Sequence, residues 1–164
     1  MTEIKVERLS FSFPEGWDAS KYDDWSFYRD KFLKQFNGIA AVDIIALNTE
    51  GDVYLIEAKD YRHPKTQKPS EVPLVIAHKV VMTLAAMLPA SLHASDENEK
   101  RIAKSVLGCK NIRVVAHIEL SHKCKFKIVQ AHIKQKLGQL LRAVDTHPKV
   151  VSMSDMKGLQ WHVA

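Results

Sequence analysis

Cysteine is scarce in this chain. Cys109 and Cys124 are the only two, and they lie outside any CxxC spacing, so neither a disulfide-stapled scaffold nor a standard zinc ribbon is indicated. His117 and His122 lie near them in sequence but complete no standard ligand pattern. No positively charged leader followed by an apolar stretch opens the sequence. The longest apolar tract, Leu74 to Leu88, is interrupted by His78 and Lys79 and falls short of a comfortable bilayer span, so it reads as a buried helix. The expectation is a cytoplasmic protein with no membrane partner. Internal repeats and low-complexity tracts are also lacking.

What remains is an ordinary globular mixture. With 164 residues, 46% apolar and 26% charged, the chain can bury a core without staples, and residues 1–164 read as one domain. The net charge of +5 favours polyanionic partners, because clustered Lys and Arg release counterions condensed on phosphates.

Residues 4 to 13 alternate loosely and predict an edge strand ended by Pro14 and Gly16. A helix is expected over 19 to 36, where Tyr22, Trp25, Arg29, Phe32, Leu33 and Phe36 fall near one face and Asn37-Gly38 supplies a stop. Ile39 to Leu47 and Val53 to Asp60 read as two strands of a hairpin across a turn-rich connection. Three prolines between 62 and 73 force a loop before an apolar helix at 74 to 89. A short helix to Leu107, a strand at 112 to 120, a helix at 126 to 144 and a last strand with Val150 and Val151 follow. This order predicts an α/β arrangement around a central mixed sheet.

Charge appears where these strands should be apolar. In IAAVDIIAL and VYLIEAK the neighbours demand burial on both faces, yet Asp43, Glu57 and Lys59 interrupt them. Burying an unpartnered ion costs several kcal/mol, so the three should solve one problem together. If the hairpin loop is centred on Glu50, residues whose numbers sum to 100 face one another, and Asp43 meets Glu57. Strand alternation then puts Lys59 on the same face. Two carboxylates so placed can grip Mg²⁺ or Mn²⁺, with the Ala58 carbonyl as a further ligand, and a metal-held water could attack a phosphate. That chemistry requires the acid pair to be open to water and to a cation.

Asp43 followed after thirteen residues by Glu57-Ala58-Lys59, with a helix before and helix-strand elements after, resembles the PD-(D/E)xK phosphodiesterase superfamily over residues 18 to 120. The resemblance implies a restriction-endonuclease-like three-layer α/β/α fold and a metal-dependent nuclease; the substrate expected is nucleic acid, DNA ahead of RNA. In it Asp43 and Glu57 match the metal ligands and Lys59 the catalytic lysine. Val42 stands where the family name has Pro. Many members add an acid from the first helix, and Asp18, Asp23, Asp24 and Asp30 are all available here. The competing expectation is a catalytically silent relative that binds protein or nucleic acid on the same scaffold.

Arg62, Lys65, Lys68 and Lys79 are candidates for phosphate contact, with a solvated loop and a snorkelling lysine as the plainer alternatives. His78 reads as a partly buried structural histidine. From Ser121 to Val144 the chain carries Lys123, Lys125, Lys127, Lys134, Lys136 and Arg142 without one acidic residue, which suits a surface tracking a nucleic-acid backbone or simply a soluble face. Phe27 falls off the aromatic stripe around Trp25 and Phe32 and suggests an interface with a protein partner or a second copy, as in a homodimer.

Overall fold

A computed structural model describes residues 1–35, 38–62, 71–121 and 123–164. The hairpin read from the sequence forms its centre. Strands β4 (Ile44–Leu47) and β5 (Asp52–Tyr61) pair antiparallel with Ile44 opposite Ile56 and Leu47 opposite Val53, the register in which paired numbers sum to 100. The turn holds because the Asn48 side chain accepts the amides of Glu50 and Asp52 at 3.0 and 2.8 Å, while Gly51 takes a φ of +91° that a side chain would resist.

From β5 the chain passes through α1 (Val72–His93) and α2 (Glu97–Leu107) to β6 (Asn111–Leu120), which lies parallel to β5 along its whole length. Asp96 caps α2 by accepting the amides of Asn98 and Glu99. Helix α3 (Lys123–Leu140) returns the chain to β7 (Lys149–Val151), parallel to β6. With β3 (Asp18–Lys21) antiparallel to β4, the sheet order is β3-β4-β5-β6-β7, a mixed α/β arrangement.

Burial on both faces of β5 explains its near-continuous apolar run. Val53 and Leu55 face a core built with α1, α2 and α3, whereas Ile56 and Ala58 face a second core with Phe11, Phe13 and Trp161. Each fully buried Leu or Ile here contributes about 2 kcal/mol.

The second core departs from the expected α/β/α layering. Its cover is a three-stranded sheet, β1 (Thr2–Val6), β2 (Leu9–Phe13) and β8 (His162–Val163), in the order β1-β2-β8. The single strand expected over 4 to 13 is a tight hairpin, turned at Glu7 with φ +54°, and its alternation buries Leu9, Phe11 and Phe13 against the large sheet. The two-residue strand β8 carries too little pattern to be read from sequence.

The expected helix over 19 to 36 is likewise replaced. Its first residues form β3, followed by a 3₁₀ turn at Tyr22–Asp24 and a short π-helical turn at Tyr28–Phe32. Pairing with β4 and the bond from the Tyr22 amide to the Asp43 carbonyl at 2.8 Å hold this segment against the sheet edge. Tyr22 packs on Trp25 and Tyr28 with ring centroids 4.9 and 5.2 Å apart, so the aromatic periodicity that suggested a long helix serves a compact knot instead. Phe27 is buried against Phe32 and not free for an interface. The proposed stop at Asn37 lies outside the described residues.

The apolar tract is longer than its first reading. At 22 residues α1 is long and apolar enough to cross a bilayer, a test that a core helix also passes. Its inner face packs on the sheet, with Ile76, Val80 and Met87 fully buried, while a second face stays exposed.

Candidate functional site

The expected acid pair forms at the end of β4. Asp43 donates its amide to the Ile56 carbonyl at 3.1 Å, and its Oδ2 accepts the Ala58 amide at 2.7 Å. Ile45 and Leu55 of the same hairpin belong to the helix-side core, and alternation places Asp43, Glu57 and Lys59 on that side too. Helix α1 then delivers Lys79, whose Nζ lies 2.6 Å from Glu57 Oε1, while Lys59 Nζ lies 3.0 Å from the same oxygen.

The electrostatics are those of a shielded cluster. Glu57 has no exposed side-chain surface, against 16% for Lys79 and 24% for Lys59. Its Oε2 is buried without a hydrogen bond among the described residues. Burial, and then the neighbouring Glu57, push the Asp43 carboxyl up to about 6, with Lys79, the Ala58 amide and Lys59 pulling the other way. Burial opposes the charge on Lys59, yet Glu57 and Asp43 outweigh it and raise its pKa. Two carboxylates and two ammonium groups balance, which is how four ionisable groups are kept in so dry a place.

Of the four candidate first-segment acids, Asp23 alone feels the charge of Asp43, though its ion-pair partner is Lys21 at 3.8 Å. Burial pushes the Asp23 carboxyl up, with Lys21 pulling it down and Asp43 pushing it up, and its Oδ1 is buried without a hydrogen bond among the described residues. Asp18 pairs with Arg101, Asp24 with Lys21 at 3.5 Å, and Asp30 is exposed. Sequence could not single out Asp23, because its position depends on β3 and the 3₁₀ turn that replaced the expected helix. Among the described residues no three His, Cys, Asp or Glu side chains converge in a way that could hold a metal ion.

The remaining candidates divide. Arg62 is clamped by Asp60 through two bonds of 2.8 and 2.7 Å. Lys65, Lys68 and His122 lie outside the described residues, as does the Cys124 side chain. His78, expected to be partly buried, is exposed on α1. His117 is fully buried, 2.9 Å from Glu119, whose carboxylate also accepts the Met153 amide at 2.7 Å. Sequence carried no signal for that contact, which joins β6 to the segment after β7. On α3, Lys127, Lys134 and Lys136 are exposed while Ile133 and Leu137 face inward.

No protein-family model matches the chain, and no solved structure matches it. A curated protein does: the cysteine--tRNA ligase of Neisseria meningitidis serogroup A is 33% identical over 150 residues, covering 73% of this chain and 21% of the ligase. The chain therefore spans about a fifth of the length of this relative. The match corrects the expected activity, since that relative is a ligase and neither a nuclease nor any other hydrolase. In the structure Glu57 has no exposed side-chain surface, and its Oε1 lies against both Lys59 and Lys79.

Proposed function

We propose that the chain is an RNA-binding module of an aminoacyl-tRNA ligase system, contacting the tRNA backbone. The observation that carries this reading is the 33% identity to a cysteine--tRNA ligase over a segment only about a fifth of that protein's length, too small a share for a whole ligase. Helix α3 supports it. At 100° per residue, Lys127 and Lys134 border one edge of its exposed face and His132 and Lys136 the other. No acidic residue stands between 121 and 144 to repel a phosphate. Cations flanking an acid-free face suit sequence-independent contact with a nucleic-acid backbone.

The scaffold in this reading is restriction-endonuclease-like. What supports it is the antiparallel β3-β4-β5 followed by helical crossovers to parallel β6 and β7, with Asp43, Glu57 and Lys59 at the matching positions. A Mg²⁺ or Mn²⁺ ion belongs to the proposal only as a competitor of Lys79 for Glu57, with Asp43 and the Ala58 carbonyl as its other ligands.

Fluorescence anisotropy with labelled tRNA tests the RNA reading. Binding should weaken steeply between about 50 and 200 mM salt. Lys134→Glu with Lys136→Glu should lower affinity at least tenfold and reduce the salt slope by about two. Absence of tRNA binding at the low-salt end, or an unchanged double variant, would overturn it.

A further inference from the structure

The outer face of α1 carries a seam that nothing in the chain covers among the described residues. Leu74, His78, Val81, Ala85, Leu88 and Leu92 are all exposed, with spacings of four, three, four, three and four residues. That is the 3.5-residue repeat with which one helix packs along another. Leu74, Val81, Leu88 and Leu92 are exposed by 51, 45, 58 and 59%, high for large aliphatic side chains aligned on one helix about 33 Å long. The same helix buries Ile76, Val80 and Met87 on its other side, so the seam is surplus to the chain's own core.

We infer that this seam is the contact between two copies of the chain, packed through α1 and α1′ in antiparallel fashion about a two-fold axis. Two observations select a second copy. The spacing reads the same in both directions, so an antiparallel partner of identical sequence sets Leu74 against Leu92′, His78 against Leu88′ and Val81 against Ala85′. The small Ala85 at the middle lets the helices approach, and leucines close both ends.

Charge makes the same choice. The chain carries a net +5, so two copies repel across most faces they could present. The positions flanking the seam on its two sides, Val75, Met82 and Pro89 and then Ala77, Leu84 and Ser91, carry no charge. The lysine in this helix, Lys79, is turned inward onto Glu57. Self-association along α1 therefore brings no like charges together. The surface continues at the Leu74 end into a groove of about 340 Å³ between α1 and α3, lined by Pro73, Leu74, His132 and Leu140 with one charge of each sign, Glu71 and Lys136, where Leu92′ would arrive. A single-helix contact is small beside the roughly 20 to 30 residues a side of a standard interface, so the dimer dissociates in the micromolar range.

Sedimentation equilibrium of the full chain from about 1 to 100 µM tests this. The wild type should move from 18.6 kDa toward twice that mass as concentration rises. Val81→Lys with Leu88→Lys, both at exposed positions, should remain monomeric throughout with an unchanged circular dichroism spectrum. A wild type that is monomeric at every concentration overturns the inference, and so does a folded double variant that still dimerises. The two readings share the groove lined by His132 and Lys136, and the variants separate them, since Val81→Lys with Leu88→Lys changes α1 and leaves the α3 lysines in place.

Discussion

Ala58 gives its amide hydrogen to the carboxylate of Asp43, fifteen residues earlier, at 2.7 Å, and so ties the end of β4 to the strand beside it. That bond fixes where the Asp43 charge must sit, next to Glu57 and out of water.

Asp43 should make the fold less stable as the solution becomes less acidic. Its carboxyl titrates near 6 in the folded chain against an ordinary 3.8, so the folded state binds more protons than the unfolded one between those values. Stability therefore falls as pH rises through that window, and the penalty, on the order of 3 kcal/mol, is complete above it. Asp43→Asn keeps an oxygen for the Ala58 amide and removes the charge. Urea denaturation from pH 4 to 8 should show the variant gaining on the wild type as pH rises. An unchanged difference across the range would show that Asp43 does not carry the penalty.

Lys79→Met should uncover the negative charge of Glu57. With only Lys59 left, a carboxylate without exposed surface loses its nearest cation, and the expected loss is about 3 kcal/mol at neutral pH. The same change should raise Mn²⁺ affinity in calorimetric titration, because the ammonium no longer competes for Glu57. Equal stability together with unchanged Mn²⁺ binding would mean that Lys79 does not neutralise the acid in solution.

Glu99 acts as a clamp on the segment before the hairpin. Its carboxylate, on α2, accepts the amides of Ser26 and Phe27 at 2.6 and 3.1 Å, capping a turn that has no internal cap of its own. Glu99→Ala should cost about 2 kcal/mol and speed hydrogen exchange at Ser26 and Phe27. Unaltered exchange at those two amides would place the anchor elsewhere.

The legible part of the sequence was the part governed by local rules. The hairpin register followed from one turn, and with it the meeting of Asp43, Glu57 and Lys59; α1, α2, β6, α3 and β7 followed from periodicity and breakers. The helix expected over 19 to 36 rests on Tyr22, Trp25, Arg29 and Phe32 recurring at helical spacing, while the force that decides the matter is pairing of Asp18–Lys21 with β4, a contact between distant residues. The cover on the second face was missed for a similar reason, since β8 is two residues long and exists through its partner. At the site, sequence located the acids but not their dryness. That Lys79 would turn onto Glu57 and not toward a ligand depends on how α1 lies across the sheet, and the activity inferred from the acids alone was corrected by the ligase relative.

Ser10 and Ala164 exchange both backbone hydrogen bonds, at 2.8 and 3.0 Å, so β8 completes the small sheet from a segment far along the sequence. Closing so large a loop is entropically expensive and cannot precede the synthesis of β8. Until β8 pairs, Phe11 and Phe13 belong to a two-stranded ribbon with an open edge, and Trp161 reaches their core together with that strand. During translation this ribbon is the stretch most in need of protection from pairing with a neighbour.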